Sequence, residues 1–138
     1  MRLLGVDFGM ARIGLAVGES EHDLATPRPP LAASGKLKTD AAAIAAIAKK
    51  EQAETVVVGL PIEEDGEEGK MARIARLLAG HIQDLGFKVA LVDERMTSVE
   101  AESGLRRMDL KASERRKLRD GEAASLILER FMQGQETP

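Results

Sequence analysis

The chain has no cysteine, no tryptophan and no tyrosine, and only three phenylalanines in 138 residues. Without cysteine it can hold no disulfide framework, no zinc-thiolate site and no thiol nucleophile, a composition at home in a reducing cytoplasm. With so few aromatic rings, stacking of nucleic-acid bases on side chains is a poor mode of binding, and any polynucleotide contact should run through phosphates. No stretch approaches the ~20 apolar residues of a membrane span. Gly5, Asp7 and Gly9 interrupt any signal-peptide core at the N-terminus. Gly5, Gly9 and Gly14 do not form a GxGxxG fingerprint, and no GxxxxGK[ST] motif occurs, which argues against dinucleotide and P-loop sites. The two histidines, His22 and His81, have no metal-type partner at short spacing and suggest no Ser-His-Asp arrangement. The length suits a single domain, residues 1–138, with a core large enough to fold unaided.

What is present is charge, unevenly spread. The net charge is −3, an unpromising balance for a nucleic-acid binder. Yet Arg106, Arg107, Lys111, Arg115, Arg116, Lys117 and Arg119 stand against only Asp109 and Glu114, so this segment carries +5 and the rest −8. Two readings follow. The segment is a mobile basic arm gripping a phosphate backbone, or it is a solvated helix face.

Periodicity predicts the elements. Residues 2–8 (RLLGVDF) and 12–18 (RIGLAVG) read as an antiparallel hairpin. Residues 24–32, with Pro27, Pro29 and Pro30, fit only an edge strand. A helix through 40–52 would be capped by Thr39 or Asp40. Residues 55–59 (TVVVG) have the apolar, β-branched character of a buried parallel strand. Met71, Ile74, Leu78, Ile82 and Leu85 mark a helix over 70–85, and 87–92 (FKVALV) form another strand. Thr97 and Glu100 match a capping box for a helix starting near 98. A last helix over 121–133 turns Ala124, Ile127, Leu128 and Phe131 to the core. The implied architecture is α/β, a mixed sheet with helices on both faces.

Carboxylates sit where such sheets place their ligands, at the carboxyl ends of parallel strands. One strand ends in Asp7 and another in Asp93-Glu94. Alternation puts Asp93 on the opposite face, so Glu94 is the better partner for Asp7. Asp120 lies on the inward stripe of the last helix, four, seven and eleven residues before Ala124, Ile127 and Phe131. Each has a plainer reading, Asp7 as a turn residue and Asp120 as a helix N-cap. Together they form an oxygen-rich set suited to Mg²⁺ or Mn²⁺. Two such ions about 4 Å apart support phosphodiester hydrolysis. Arg12 and Arg95, beside the acids in sequence, are candidates either to grip a phosphate or to neutralise the acids by ion pairing.

In this order the motifs Val6-Asp7-Phe8-Gly9, Arg12-Ile13-Gly14-Leu15-Ala16, Val57-Val58-Gly59-Leu60-Pro61, Asp93-Glu94-Arg95 with Thr97, and Asp120 with Ala123-Ala124 and Ile127-Leu128 cover nearly the whole chain. They resemble the YqgF/RuvX family of RNase H-like proteins, relatives of the Holliday-junction resolvase RuvC. The resemblance implies an RNase H-like fold with a five-stranded sheet. It also implies a three-acid site mapping onto Asp7, Glu94 and Asp120, and nuclease activity in maturing the 5′ end of pre-16S rRNA or resolving branched DNA. RuvC-type enzymes place a further acid at the last helix. Glu122, two residues beyond Asp120, would point about 200° away around the helix, so that role is not carried over. A symmetric junction cut would require a homodimer. The competing readings are a non-catalytic RNA- or ribosome-binding factor and an actin-like ATPase. The ATPase would need a second lobe.

Overall fold

A computed structural model describes residues 1–63, 65–94 and 112–137, of which 112–119 are described as helical backbone only. Three strands open the fold: β1 (Arg2–Phe8), β2 (Arg12–Glu19) and β3 (Leu24–Ala32). Helix α1 (Leu37–Lys50), strand β4 (Thr55–Leu60), helix α2 (Lys70–Asp84), strand β5 (Lys88–Asp93) and helix α3 (Ala112–Met132) follow. A short 3₁₀ turn, Ser20–His22, links β2 to β3.

The five strands form one sheet in the order β3-β2-β1-β4-β5. β1 pairs antiparallel with β2, and β2 with β3. β1–β4 and β4–β5 are parallel. The mixed sheet expected from the sequence is therefore present, and β3 with its three prolines lies at an edge, where missing amide donors cost no ladder bonds.

Alternation divides the sheet into two faces. Leu4, Val6, Leu15, Val56, Val58 and Leu60 pack with the small and aliphatic residues of α1 and α2 (Ala41, Ile44, Ala75, Leu78, Ile82). On the other face Leu3, Ala16, Val57, Ala90 and Val92 pack with Ala124, Ile127 and Leu128 of α3. One face is thus covered by two helices and the other by α3, as an amphipathic sheet requires. At the end of β1 remote from Asp7, Arg2 donates to Glu19 at 2.6 Å and to Glu51 at 3.2 Å, and Arg28 donates to Glu51 at 3.3 Å. This network joins β1, β2, β3 and the end of α1.

Two helix starts differ from expectation. Helix α1 begins at Leu37, its N-cap is Lys36, and no side chain caps it. Asp40 instead lies buried inside the helix and accepts the Ser34 N–H at 2.9 Å. Helix α3 begins at Ala112, nine residues before the expected 121. Its first turns are rich in good helix formers but poor in apolar residues, so propensity carries them where amphipathic pattern is silent. The helix expected near 98 lies outside the described residues.

Candidate active site

In β1, alternation turns Leu3, Gly5 and Asp7 toward α3. In β5 it does the same for Ala90, Val92 and Glu94, while Asp93 faces away. Asp7 and Glu94 come from strands separated by β4, at the carboxyl end of the sheet. The residue between them on that face is Gly59. A Cβ there would collide with Oε2 of Glu94 and with Ile127. The missing side chain is what lets the glutamate reach back across β4 toward β1.

The two carboxyls meet. Burial and the neighbouring Asp7 carboxylate push the Glu94 pKa from its ordinary 4.5 up to about 10, and the protonated Glu94 donates a hydrogen bond to Asp7. Asp93 adds to the negative field, and Arg130 opposes it. The Arg130 guanidinium also donates from Nη1 to the Asp93 carbonyl at 2.9 Å, fixing the end of β5 to α3.

Asp120 arrives from the helix. Because α3 starts at Ala112, Asp120 is an interior helix residue, and the N-cap reading does not apply. Its backbone carbonyl rests directly on Gly14, which would clash with it if it carried a Cβ. Gly14 is the cross-strand partner of Asp7 in the β1–β2 ladder. The Asp120 side chain is 15% exposed, and its Oδ2 accepts a hydrogen bond from Arg12 Nε at 2.6 Å. The arrangement is thus a carboxyl pair, Asp7 and Glu94, with a third acid one strand away under a guanidinium. Among the described residues no three carboxylate or histidine side chains gather tightly enough to enclose one metal ion.

In this arrangement Arg12 is ion-paired with Asp120. Arg95, Arg106, Arg107 and Lys111 lie outside the described residues. The backbone of Arg115, Arg116, Lys117 and Arg119 is helical, part of α3. Sequence reasoning missed Gly14 and Gly59. The signal for Gly59 was present, since a glycine inside an otherwise β-branched buried strand marks a close approach by another group.

Three comparisons bear on this geometry. Residues 1–134 match the family model RuvX, described as Holliday junction resolvase. The chain belongs to the RuvX family. RuvX relatives include the "Putative pre-16S rRNA nuclease" of Anaeromyxobacter dehalogenans (strain 2CP-1), 45% identical over 134 residues and 96% of each chain. The protein of the same name from Myxococcus xanthus is 36% identical over 100% of this chain and 91% of its own. Among solved structures, Thermus thermophilus RuvC in complex with a Holliday junction substrate superposes with a TM-score of 0.55 at 18% identity, covering 100% of this chain and 99% of that one. The large terminase nuclease of phage G20c gives a TM-score of 0.56 at 12% identity, covering 95% and 81%. At these identities the structural likeness establishes the fold, which is RNase H-like as in RuvC.

Proposed function

We propose that this RuvX-family chain is a nuclease that hydrolyses phosphodiester bonds in structured nucleic acid, with Asp7, Glu94 and Asp120 as its catalytic acids. The observation that carries this reading is the Asp7–Glu94 carboxyl pair, held face to face at the end of the parallel strands by the absence of a side chain at Gly59. Two acids sharing one proton mark a place where a divalent cation replaces that proton. The donor set is all oxygen, which fits Mg²⁺ or Mn²⁺. Asp7 and Glu94 would hold the metal, and when bound it would supply Lewis-acid stabilisation of charge on the cleaved phosphate.

The remaining steps belong to side chains of the chain. Arg12 is 38% exposed beside Asp120, so an incoming phosphate can compete for its guanidinium. That exchange would leave Asp120 open to the same space as Asp7. The basic residues Arg115, Arg116, Lys117 and Arg119 of α3, with Arg106, Arg107 and Lys111 before it, would hold the polyanion by its backbone. Arg95, next to Glu94, is the second candidate for the phosphate itself.

As substrate we favour pre-16S rRNA, named in relatives 45% and 36% identical, with the cut at its 5′ end and the work in the cytoplasm. Four-way DNA junctions, the substrate in the family description, are the second candidate and would require a homodimer. Cleavage of both substrates should be measured with chelator, with Mg²⁺ and with Mn²⁺, using Asp7→Asn as control. Metal-dependent cutting lost in the Asn variant is the expected result. Cutting that survives either chelator or Asp7→Asn would overturn the assignment.

A further inference from the structure

Strand β5 is an edge of the sheet, beyond β4, so one row of its backbone groups has no neighbouring strand. The Glu94 N–H donates to the Leu60 carbonyl of β4 at 3.1 Å. Alternation therefore turns the backbone groups of Ala90 and Val92 toward β4, and those of Leu91 and Asp93 outward. Both outward carbonyls are met from the C-terminal end of α3. The Thr137 N–H donates to the Leu91 carbonyl at 2.7 Å, and Arg130 Nη1 donates to the Asp93 carbonyl at 2.9 Å. Gly134, at φ +85°, makes the turn that brings the chain back to the strand. Its N–H donates to the Phe131 carbonyl, and that of Gln135 to the Arg130 carbonyl. The Asp93–Glu94 peptide is thus gripped on both sides, its carbonyl by Arg130 and its amide by Leu60. Because a peptide unit is planar, these two bonds resist its rotation.

We infer that Arg130 is a positioning residue for Glu94, holding the peptide from which its side chain reaches across Gly59 to Asp7. The inference rests on the reading of Glu94 as a catalytic acid. A plainer role exists for a cation in the last turn of a helix, where it offsets the negative end of the helix dipole. A solvent-facing side chain would serve that role. This guanidinium is instead partly buried and directs a donor at one carbonyl of another element. The length of the glutamate makes that carbonyl matter. A tilt of about 15° at the backbone moves a carboxyl about 5 Å away by more than about 1 Å, and misplacements of that size cost roughly a hundredfold in rate. Arg130 also lowers the Glu94 pKa against the larger influences of burial and Asp7. Its charge therefore reaches the carboxyl as well, and place must be separated from charge.

The test is Arg130→Met, which keeps a long apolar stem and a good helix former but removes donors and charge. Amide hydrogen exchange of the full chain in chelator reads position. The Glu94 amide should exchange at least about tenfold faster than in wild type, while that of Val92, bonded to the same neighbouring strand, should change less than about threefold. On whichever of the two substrates the wild type cuts, kcat should fall about tenfold or more with KM within about twofold. Unchanged exchange at Glu94 would overturn the proposal even if cutting slowed, since that slowing would belong to charge. Equal acceleration at Val92 and Glu94 would overturn it as a general loosening of β5. Faster exchange at Glu94 with unchanged kcat, where Glu94→Gln is inactive, would overturn it too. Should Arg130→Met fail to fold, the wild type decides. Its Glu94 amide should be as well protected as that of Val92, and exchange at the rate of a frayed strand end would sink the clamp. Cleavage that survives Glu94→Gln would count against Glu94 as a catalytic acid, and exchange at Glu94 would still decide whether Arg130 holds it.

Discussion

Glu94 combines two demands that conflict. In the proposed metal site it lies close enough to Asp7 to share a cation, and without one the pair repels and keeps a proton. The sign of the pH dependence follows. In the unfolded chain Glu94 loses its proton near 4.5, whereas in the folded, metal-free chain it holds it to about 10. Between those limits the folded state binds more protons, so the stability tied to this site is fully present below the unfolded pKa and is lost as pH rises toward about 10. Denaturant titrations in chelator at pH 6 and pH 9 should show this fall, and Glu94→Gln should flatten it while abolishing cleavage. Glu51 has the opposite sign. Its hydrogen bond from Arg28 is the largest influence holding its pKa below the ordinary value, with the Arg28 and Arg2 charges adding to it. Its contribution is present above pH 4.5 and is lost as pH falls through its folded pKa. Glu51→Gln should cost about 0.2–1 kcal/mol near neutrality, and the loss should shrink in acid. Asp7 and Glu94 stood out in the sequence as acids at the ends of apolar strands, and Asp120 as the acid on the apolar stripe of the last helix. The Arg12–Asp120 bond was not, since 108 residues separate its partners and no local pattern joins them.

At the scale of elements, the site depends on how closely α3 approaches the sheet, and glycines set that distance. Gly14 and Gly59 lie under Asp120 and Ile127 respectively, and Gly121 lets the helix pass over Pro27 of β3. Gly14→Ala pits a methyl against backbone, which cannot rotate away, so a loss of about 1–3 kcal/mol or more is expected in chemical denaturation. Gly59→Ala meets two side-chain ends that can move. It should cost less stability than Gly14→Ala, yet reduce cleavage more than tenfold by displacing Glu94 from Asp7. If cleavage by Gly59→Ala matches wild type, the carboxyl pair is not the reactive centre. Leu128, fully buried between Gly5 and Gly18, should cost about 2–5 kcal/mol as Ala. Strands were readable because apolar runs of two periods bound them, and even β3 followed from its prolines. The lateral order of the strands was not, because parallel crossovers leave no trace in local pattern. Without that order, the place of Gly59 between the two acids could not be seen. The early start of α3 was hidden for a related reason, since its first residues bury little.

For the molecule as a whole, charge and assembly decide what it can bind and when. A surface at −8 outside residues 106–119 repels a polyanion, so affinity should rest on that segment. Changing Arg115, Arg116 and Lys117 together to Ala should lower the log–log salt slope of duplex binding by about 0.9 for each phosphate contact removed. An unchanged slope would show that the charges only face solvent. No helix among the described residues is long and apolar enough to cross a membrane. The bond between Arg12 and Asp120 also orders events in time. The hairpin that carries Asp7 leaves the ribosome first, and Asp120 follows 113 residues later in sequence, roughly 6–23 s of synthesis. During that interval Leu3, Ala16, Val57 and Val92 lack the helix that covers them. The nascent chain therefore exposes this apolar face, and the Arg12–Asp120 ion pair forms only once the last helix has closed over the sheet.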